Sequence, residues 1–403
     1  MTVSIPAGAH LLDQAIEGYL ASRTETPRLL KEAMAQDADH LMARCFMGYL
    51  TRLAGDARNA ARSADLHRQL EERLAAGQGT AWERAHIAAL GLWLADDLPV
   101  LMAHFEHMLD TWPTDVLALR MLHHLTFYDG DATRMRDSAM TRLPDYAGHP
   151  LLGYVKGMAA FGLEEAGDYE AAERLGREAV DANPRDAWAA HAVAHVMEMR
   201  GRHDEGIDWI ERLKPQWSET NNFRFHLSWH QALYHLARHD VDAVLALYDA
   251  EVGASVGDDF YLDLCNAASL LLRLEALGAD VGDRWAPLVP IAERHVQDTE
   301  LVFASLHHLM PLARTGSPGA EKLMNALGAW SRRDTAQGRL VRDVAMRVAR
   351  FVVAAVSGDR AEAGRLFEAC HYQLHRIGGS HAQRALFSIM NGADAWPRSS
   401  ASA

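Results

Sequence analysis

The sequence predicts an all-α protein, an α-α superhelix built from stacked antiparallel helix hairpins. Three observations predict it. Apolar residues recur at i, i+3, i+4 and i+7 from Ala9 to about Asn391, with almost no sustained alternation. Gly, Pro or Asp punctuation falls every fifteen or so residues. The punctuation itself repeats at a nearly constant interval.

Leu11 to Leu20, Leu41 to Leu53, Trp82 to Leu94, Val116 to Phe127 and Leu151 to Leu163 each carry an apolar stripe at helical spacing, and each is expected to be one helix of a hairpin. A partner helix follows each after a short turn. Gly55-Asp56, Asp96-Asp97, Asp129-Gly130-Asp131, Gly167-Asp168 and Gly358-Asp359 are turns of this kind, with residues that end one helix and open the next.

The turns recur about every 34 residues, the period of a tetratricopeptide array. Gly167 to Gly201 and Tyr169 to His203 are each 34 residues, Trp112-Pro113-Thr114-Asp115 and Asn183-Pro184-Arg185-Asp186 stand 71 apart, and Gly130 to Gly167 spans 37. Gly167-Asp168-Tyr169-Glu170-Ala171-Ala172, with Ala179 and Asn183-Pro184, resembles the second half of the tetratricopeptide motif. The first half departs from it, with Lys156 where the motif often has Trp and Ala160 where it has Gly. In the next unit His239 replaces the turn glycine. One hairpin cannot bury its apolar face alone, whereas stacked hairpins share a continuous core and a concave surface. The expectation is a single solenoid over residues 1–395, clearest about 150–250, and a disordered tail over 396–403. Arg314-Thr-Gly-Ser-Pro-Gly319 is the loop richest in helix breakers.

Composition excludes several classes. At 403 residues, 49% hydrophobic and 23% charged, the chain is an ordinary globular mixture. Met1 to His10 has neither a basic segment nor a long apolar one, so no secretory signal is expected and the mature chain should begin near Met1. No apolar run approaches the roughly 18 residues of a membrane span, since Phe351 to Val356 is closed by Ser357 and Gly358. The three cysteines, Cys45, Cys265 and Cys370, are too scattered for a disulfide framework or a C-x-x-C pair, and a reducing cytoplasm is the expected compartment. A net charge of −14, from 54 acidic residues against 40 Lys and Arg, offers no footprint for a phosphate backbone, so nucleic acid is not an expected partner.

The chemistry-bearing residues concentrate between Asp186 and His239. Two successive helices each carry histidines four apart, His191 with His195 and His226 with His230. Residues at i and i+4 share a helix face, so four imidazoles meet if the helices are neighbours. Neutral imidazole ligates zinc, iron, copper or nickel, and a carboxylate from Glu198 or Asp263 would complete the sphere. His307 begins a later helix that could point the same way. The spacing lacks the H-E-x-x-H glutamate, and a polar lining or satisfied inter-helix histidines is the competing reading.

The tetratricopeptide register adds a groove. Counting Gly201 as position 15 of its unit puts His191, His195 and Glu198 at 5, 9 and 12, on the inner face. The same count from Gly130 puts Arg120 at 5, His124 at 9 and Tyr128 at 13; His226 falls at 2 and His230 at 6, slightly off the groove. Gly378-Gly379-Ser380 reads as a turn whose Ser380 caps a short helix, with Arg384 placed either for an anion or for a neighbouring carboxylate. Gly253-Ala-Ser255-Val-Gly257 matches a nucleophile elbow by letters but follows a helix rather than a strand, and so reads as a loop. Trp188, Trp209, Trp217, Trp229 and Tyr234 are expected mostly in the core, one or two of them lining the groove.

His191-Ala-Val-Ala-His195-Val-Met-Glu-Met199, His226-Leu-Ser-Trp-His230-Gln-Ala-Leu-Tyr234, Ser269 to Gly278 with Val281-Gly-Asp-Arg-Trp285, and Gly378-Gly-Ser-His-Ala-Gln-Arg384-Ala-Leu-Phe387 occur in this order. Together they resemble the tetratricopeptide-repeat protein 38 family. The resemblance implies the repeat fold and no particular reaction. The expected function is binding of a peptide, a protein partner or a small ligand in a His-lined concave groove. The alternative is a metal-dependent enzyme of the hydrolase class, using His191, His195, His226 and His230 around a divalent transition metal. A homo-oligomeric scaffold is a third reading, and it predicts no pocket.

Overall fold

The computed structural model describes residues 8–393. The expected start of the mature chain and the tail expected at 396–403 lie outside the described residues. Helices α1 (Ala9–Leu20) and α2 (Thr26–Gln36) form the first hairpin, α3 (Leu41–Leu53) and α4 (Ala57–Ala75) the second, and α5 (Ala81–Leu94) and α6 (Leu98–Thr111) the third. Then come α7 (Val116–Asp129) with α8 (Ala132–Arg142), α9 (Leu152–Glu165) with α10 (Tyr169–Ala182), and α11 (Ala187–Met199) with α12 (His203–Leu213). The series continues with α13 (Phe223–Ala237) and α14 (Val241–Leu247), α15 (Tyr261–Ala276) and α16 (Leu288–Arg294), and α17 (Val302–Arg314) and α18 (Gly319–Trp330). Helix α19 (Ala336–Leu340) runs through a π-helical turn into α20 (Met346–Val356), which pairs with α21 (Arg360–Glu368); α22 (His381–Met390) closes the chain. Among the described residues there is no strand, only an isolated bridge between Arg23 and Thr220. The fold is a tetratricopeptide-like helical solenoid. No helix of the described residues is long and apolar enough to cross a membrane.

Local chemistry sets the hairpin boundaries. Asp56, Asp115, Asp131, Asp168, Asp186, Asp240 and Asp359 each cap the following helix, their side chains accepting the backbone N–H three residues on. That satisfies donors the helix cannot. His239, where the repeat count places a turn glycine, does take the left-handed conformation, at φ 58°, and Asp96 takes it at φ 56°.

The first helix of a pair is buried almost all round. In α11 every residue from Ala187 to Glu198 except Trp188 is buried, and α15 is buried without a break from Leu262 to Leu274. The second helices α4, α8, α10 and α12 keep charged outer faces. A helix packed on both sides and on the concave interior must be apolar throughout, whereas one on the convex rim needs only a stripe. Polar residues on the first helices are therefore those that face the interior.

The solenoid curls until its early and late units touch. Arg52 on α3 pairs with Glu300, and the Ala57 N–H donates to Asp298 Oδ1 at 3.1 Å. Asp96 accepts from the backbone of Ala336 at 3.4 Å and of Gln337 at 3.2 Å. Asn221 N donates to Ser22 O at 2.7 Å beside the Arg23–Thr220 bridge. Gly130 fits this closure: at φ 75° it lies where an added Cβ would meet the His375 carbonyl oxygen at 2.0 Å. Helix α22 packs against α11, α15 and α20.

Candidate metal centre and cavity

The site is built on α9, α11, α13 and α15, four consecutive first helices. Alanine dominates α11, and Ala189 is so close to α9 that a Cβ on Gly157 would stand 3.1 Å from its methyl group. Small residues bring the helices together, and His191 and His195 project from α11 between them. On α13, Trp229 holds His226 in place by stacking, with ring centroids 5.2 Å apart and planes 13° apart. Trp229 is itself fixed by its indole N–H, which donates to Ser269 Oγ on α15 at 3.0 Å.

The four imidazoles meet. His191 Nε2 lies 2.9 Å from His195 Nε2 and 3.1 Å from His226 Nε2. The His230 ring centroid is 4.4 Å from that of His195, 4.8 Å from His226 and 5.0 Å from His191. One ligand atom from each of the four falls within 4.8 Å of all the others. All four side chains are buried. Ligands about 2.0–2.1 Å from a tetrahedral zinc ion sit about 3.3 Å apart, so the spacing is close to that of a coordination sphere.

The opposite ring atoms are held by acceptors. His230 Nδ1 donates to Glu198 Oε2 at 3.0 Å, and His226 Nδ1 donates to Asn266 Oδ1 at 3.0 Å. His195 Nδ1 faces Glu164 Oε2 at 3.7 Å. An imidazole with its proton on Nδ1 presents a lone pair at Nε2. The cluster thus points lone pairs inward: His230 Nε2 has no partner, and His191, whose Nδ1 is also without one, can supply a single Nε2 proton to two Nε2 neighbours. With this proton placement the inward lone pairs form a set that could hold a cation. Imidazoles oriented by a carboxylate and an amide are the usual supporting arrangement of a metal centre.

Electrostatics agree with this assignment. Burial, reinforced by the neighbouring imidazoles, holds His191 and His195 well below the usual imidazole range; burial with His230 beside it does the same for His226. Burial, with Arg273 nearby, takes His230 down to about 3. All four are neutral at pH 7, the ligand form. Burial pushes Glu198 up to about 7, against the opposing pull of Arg273 and His203. Glu164 is raised by burial and by Glu165 and Glu198, and neither of its oxygens has a hydrogen-bond partner.

Beside the cluster the curled solenoid leaves a cavity of about 510 Å³. His191, His195 and His226 line it, together with Arg120, His124 and Tyr128 of α7; His230 and Glu198 stand behind this wall. Phe161, Trp188, Phe223, Tyr19 and Tyr261 are among the other side chains that line it. Other residues expected at the site lie elsewhere. Asp263, raised by burial to about 7, accepts from Asn222 Nδ2 at 2.5 Å, and His307 Nδ1 donates to the Phe303 carbonyl at 2.8 Å; neither belongs to the imidazole group. Ser380 forms a capping box with Gln383, and both reach the cavity, but Arg384 turns to Glu165 Oε2 at 3.3 Å and to the Gly379 carbonyl. Ser255 sits in a 3-10 turn, its hydroxyl donating to the Val252 carbonyl at 3.1 Å.

Three participants escaped the sequence reading. His123 lines the cavity with both ring nitrogens buried and unpartnered, and only the doublet His123-His124 hinted at it. Asn266 and Glu164 come from α15 and α9, where nothing in the local sequence separates them from polar residues between packed helices. No protein-family model matches the chain. A solved structure described as Rap protein complexed with competence and sporulation factor is similar to it, with a TM-score of 0.49 and 12% identity over 83% of this chain and 98% of that one.

Proposed function

We propose that the chain is a helical-repeat metalloprotein that presents a divalent transition metal ion to a small molecule held in the central cavity. The observation that carries this reading is the convergence of one ring nitrogen from each of His191, His195, His226 and His230, with Glu198 and Asn266 as acceptors for the Nδ1 protons of His230 and His226. Four imidazoles fill a tetrahedral sphere, so chemistry at an ion held there would need a fifth position, on the cavity side that His191, His195 and His226 line. Such an ion polarises a carbonyl or lowers the pKa of bound water, and the reaction class this supports is metal-assisted hydrolysis. His123 stands in the cavity wall with both ring nitrogens unpartnered, and burial with Arg120 and His124 nearby holds it neutral, so it offers the cavity a hydrogen-bonding group rather than a base.

A second reading, a binding groove without metal, draws on the same cavity. Its volume lies in the range of small-molecule sites and its wall is mostly apolar and rich in aromatic side chains. That favours a small ligand over a peptide or folded partner. Metal analysis of protein purified without an affinity tag and reconstituted with zinc separates the two readings. One ion per chain, lost in His191→Ala, is the expected result; no stoichiometric zinc leaves only the binding groove. With zinc in place, turnover of p-nitrophenyl ester probes that falls away in His191→Ala is expected.

A further inference from the structure

The cavity wall holds two arginines, and they are not equivalent. Arg23 pairs with Glu25 at 3.3 Å. Arg120 has no carboxylate paired with it among the described residues, and its Nε is buried without a hydrogen-bond partner. Asp186, whose charge it feels, has Oδ1 committed to the Ala189 N–H at 3.0 Å at the start of α11. What holds the Arg120 guanidinium is an aromatic face: it lies 3.9 Å from the Trp188 ring centroid. Tyr19 also takes a side-chain hydrogen bond from it, so the aromatic contacts orient the group while Nε is left without a partner. A sequestered guanidinium with unfilled donors is costly unless an anion completes it.

Trp188 also fixes where that anion stands relative to the imidazoles. Its ring centroid is 5.3 Å from that of His191, so the guanidinium and the metal-facing imidazole both border one indole. Phe223 stacks on the same indole at 5.3 Å and 30°. We infer that the cavity takes a small organic monoanion, a carboxylate with a flat apolar body, its carboxylate on Arg120 and its body on the aromatic wall beside the imidazoles. The planar fork of the guanidinium matches a carboxylate in two parallel hydrogen bonds. Arg120 has no paired carboxylate and already lies within reach of the Asp186 charge, so one added negative charge is the most it balances, and a phosphate monoester dianion leaves a negative charge uncompensated in a wall whose imidazoles are neutral. This inference rests on reading the cavity as a substrate pocket, and it names the substrate class.

The test is calorimetric titration of zinc-free protein, which removes any coordination of carboxylate by metal, with naphthoate, its neutral methyl ester and naphthyl phosphate. Naphthoate is expected to bind tightest. Arg120→Gln should weaken naphthoate by about tenfold to a hundredfold, the loss of a charge-assisted pair, with ester binding unchanged and Arg120→Lys intermediate. Unchanged ester binding and unchanged zinc uptake at the four histidines certify that the variant is folded. Naphthoate binding no better than its ester, binding indifferent to Arg120→Gln, a preference for the phosphate, or no binding of any probe overturns the inference. Zinc stoichiometry, read separately on the same protein, tells failure of the carboxylate site from failure of the metal centre.

Discussion

Glu198 offers the sharpest separation of a metal centre from an inert histidine cluster. Its Oε2 receives the Nδ1–H of His230 at 3.0 Å, and both side chains are buried. A metal on His230 Nε2 makes Nδ1–H a stronger donor and makes a carboxylate partner more favourable than a carboxylic acid. Removing such a supporting acceptor costs about 10- to 100-fold in metal affinity, or about 1.4–2.8 kcal/mol. Glu198→Gln keeps the size and an acceptor oxygen but loses the charge, so it should sit near the lower figure; Glu198→Ala should reach the upper one. Glu198→Ala also strands the buried His230 donor and should lower stability without metal by about 1–3 kcal/mol, whereas Glu198→Gln should not. Competition of each variant against a chromophoric chelator for zinc, beside urea unfolding of the zinc-free forms, gives both numbers. Zinc affinity in Glu198→Ala equal to the parent's would refute the reasoning, because the carboxylate would then be only a hydrogen-bond partner.

The remaining expectations follow from burial and packing. Zinc binding should release protons from Glu198, whose carboxyl is raised to about 7, and hardly any from the imidazoles, which are already neutral; release should approach one proton near pH 6 and shrink by pH 8. Calorimetry in buffers of different ionisation enthalpy reads this, and a heat independent of buffer contradicts it. Zinc-free protein should lose stability as pH falls below about 6.5. His123, His124, His191, His195, His226, His230, His307 and His308 are all held neutral by burial, so the unfolded chain takes up protons there and the native one does not. Each such group contributes about 1.4 kcal/mol per pH unit well below that point. Asp186, Glu198 and Asp263, raised to about 6, 7 and 7, act with the opposite sign over the same window and offset part of the loss. Urea midpoints between pH 7.5 and 5.5 test the net sign, and a midpoint that rises on acidification contradicts it. Gly130→Ala forces a Cβ to within 2.0 Å of the His375 oxygen at a backbone φ of 75°, so it should destabilise by at least about 1–3 kcal/mol and loosen the contact between early and late units. Faster amide exchange at Gly378 and Ser380 is the accompanying signature.

How much of this was legible in the residues depends on how local each feature is. Helix α3 begins and ends where its apolar stripe does, because a hairpin boundary is written in the few residues that cap it. The inner-face count placed Arg120, His124, Tyr128, His191, His195 and Glu198 toward one interior; the first five line a common cavity and Glu198, at position 12, does not. His230, offset by one position in that count, lies behind the wall rather than on it. Asp263 and His307 are expected at the starts of later helices, with no register to say which way they point; His307 lies in the middle of α17, and packing turns the two to Asn222 and Phe303. The cavity was not legible at all. It exists because small rotations from one hairpin to the next add up until Gly130 meets His375 and Ser22 meets Asn221, and no local pattern encodes that sum.

The central claim is a metal ion at the four imidazoles, and X-ray absorption at the zinc edge on the reconstituted full chain tests it most directly. A first shell of nitrogen at about 2.0–2.1 Å, with the outer-ring scattering of three to four imidazoles, is the predicted spectrum, and it should lose imidazole scattering in His226→Ala. A shell of oxygen without imidazole scattering, or zinc that washes out before one ion per chain is reached, contradicts it.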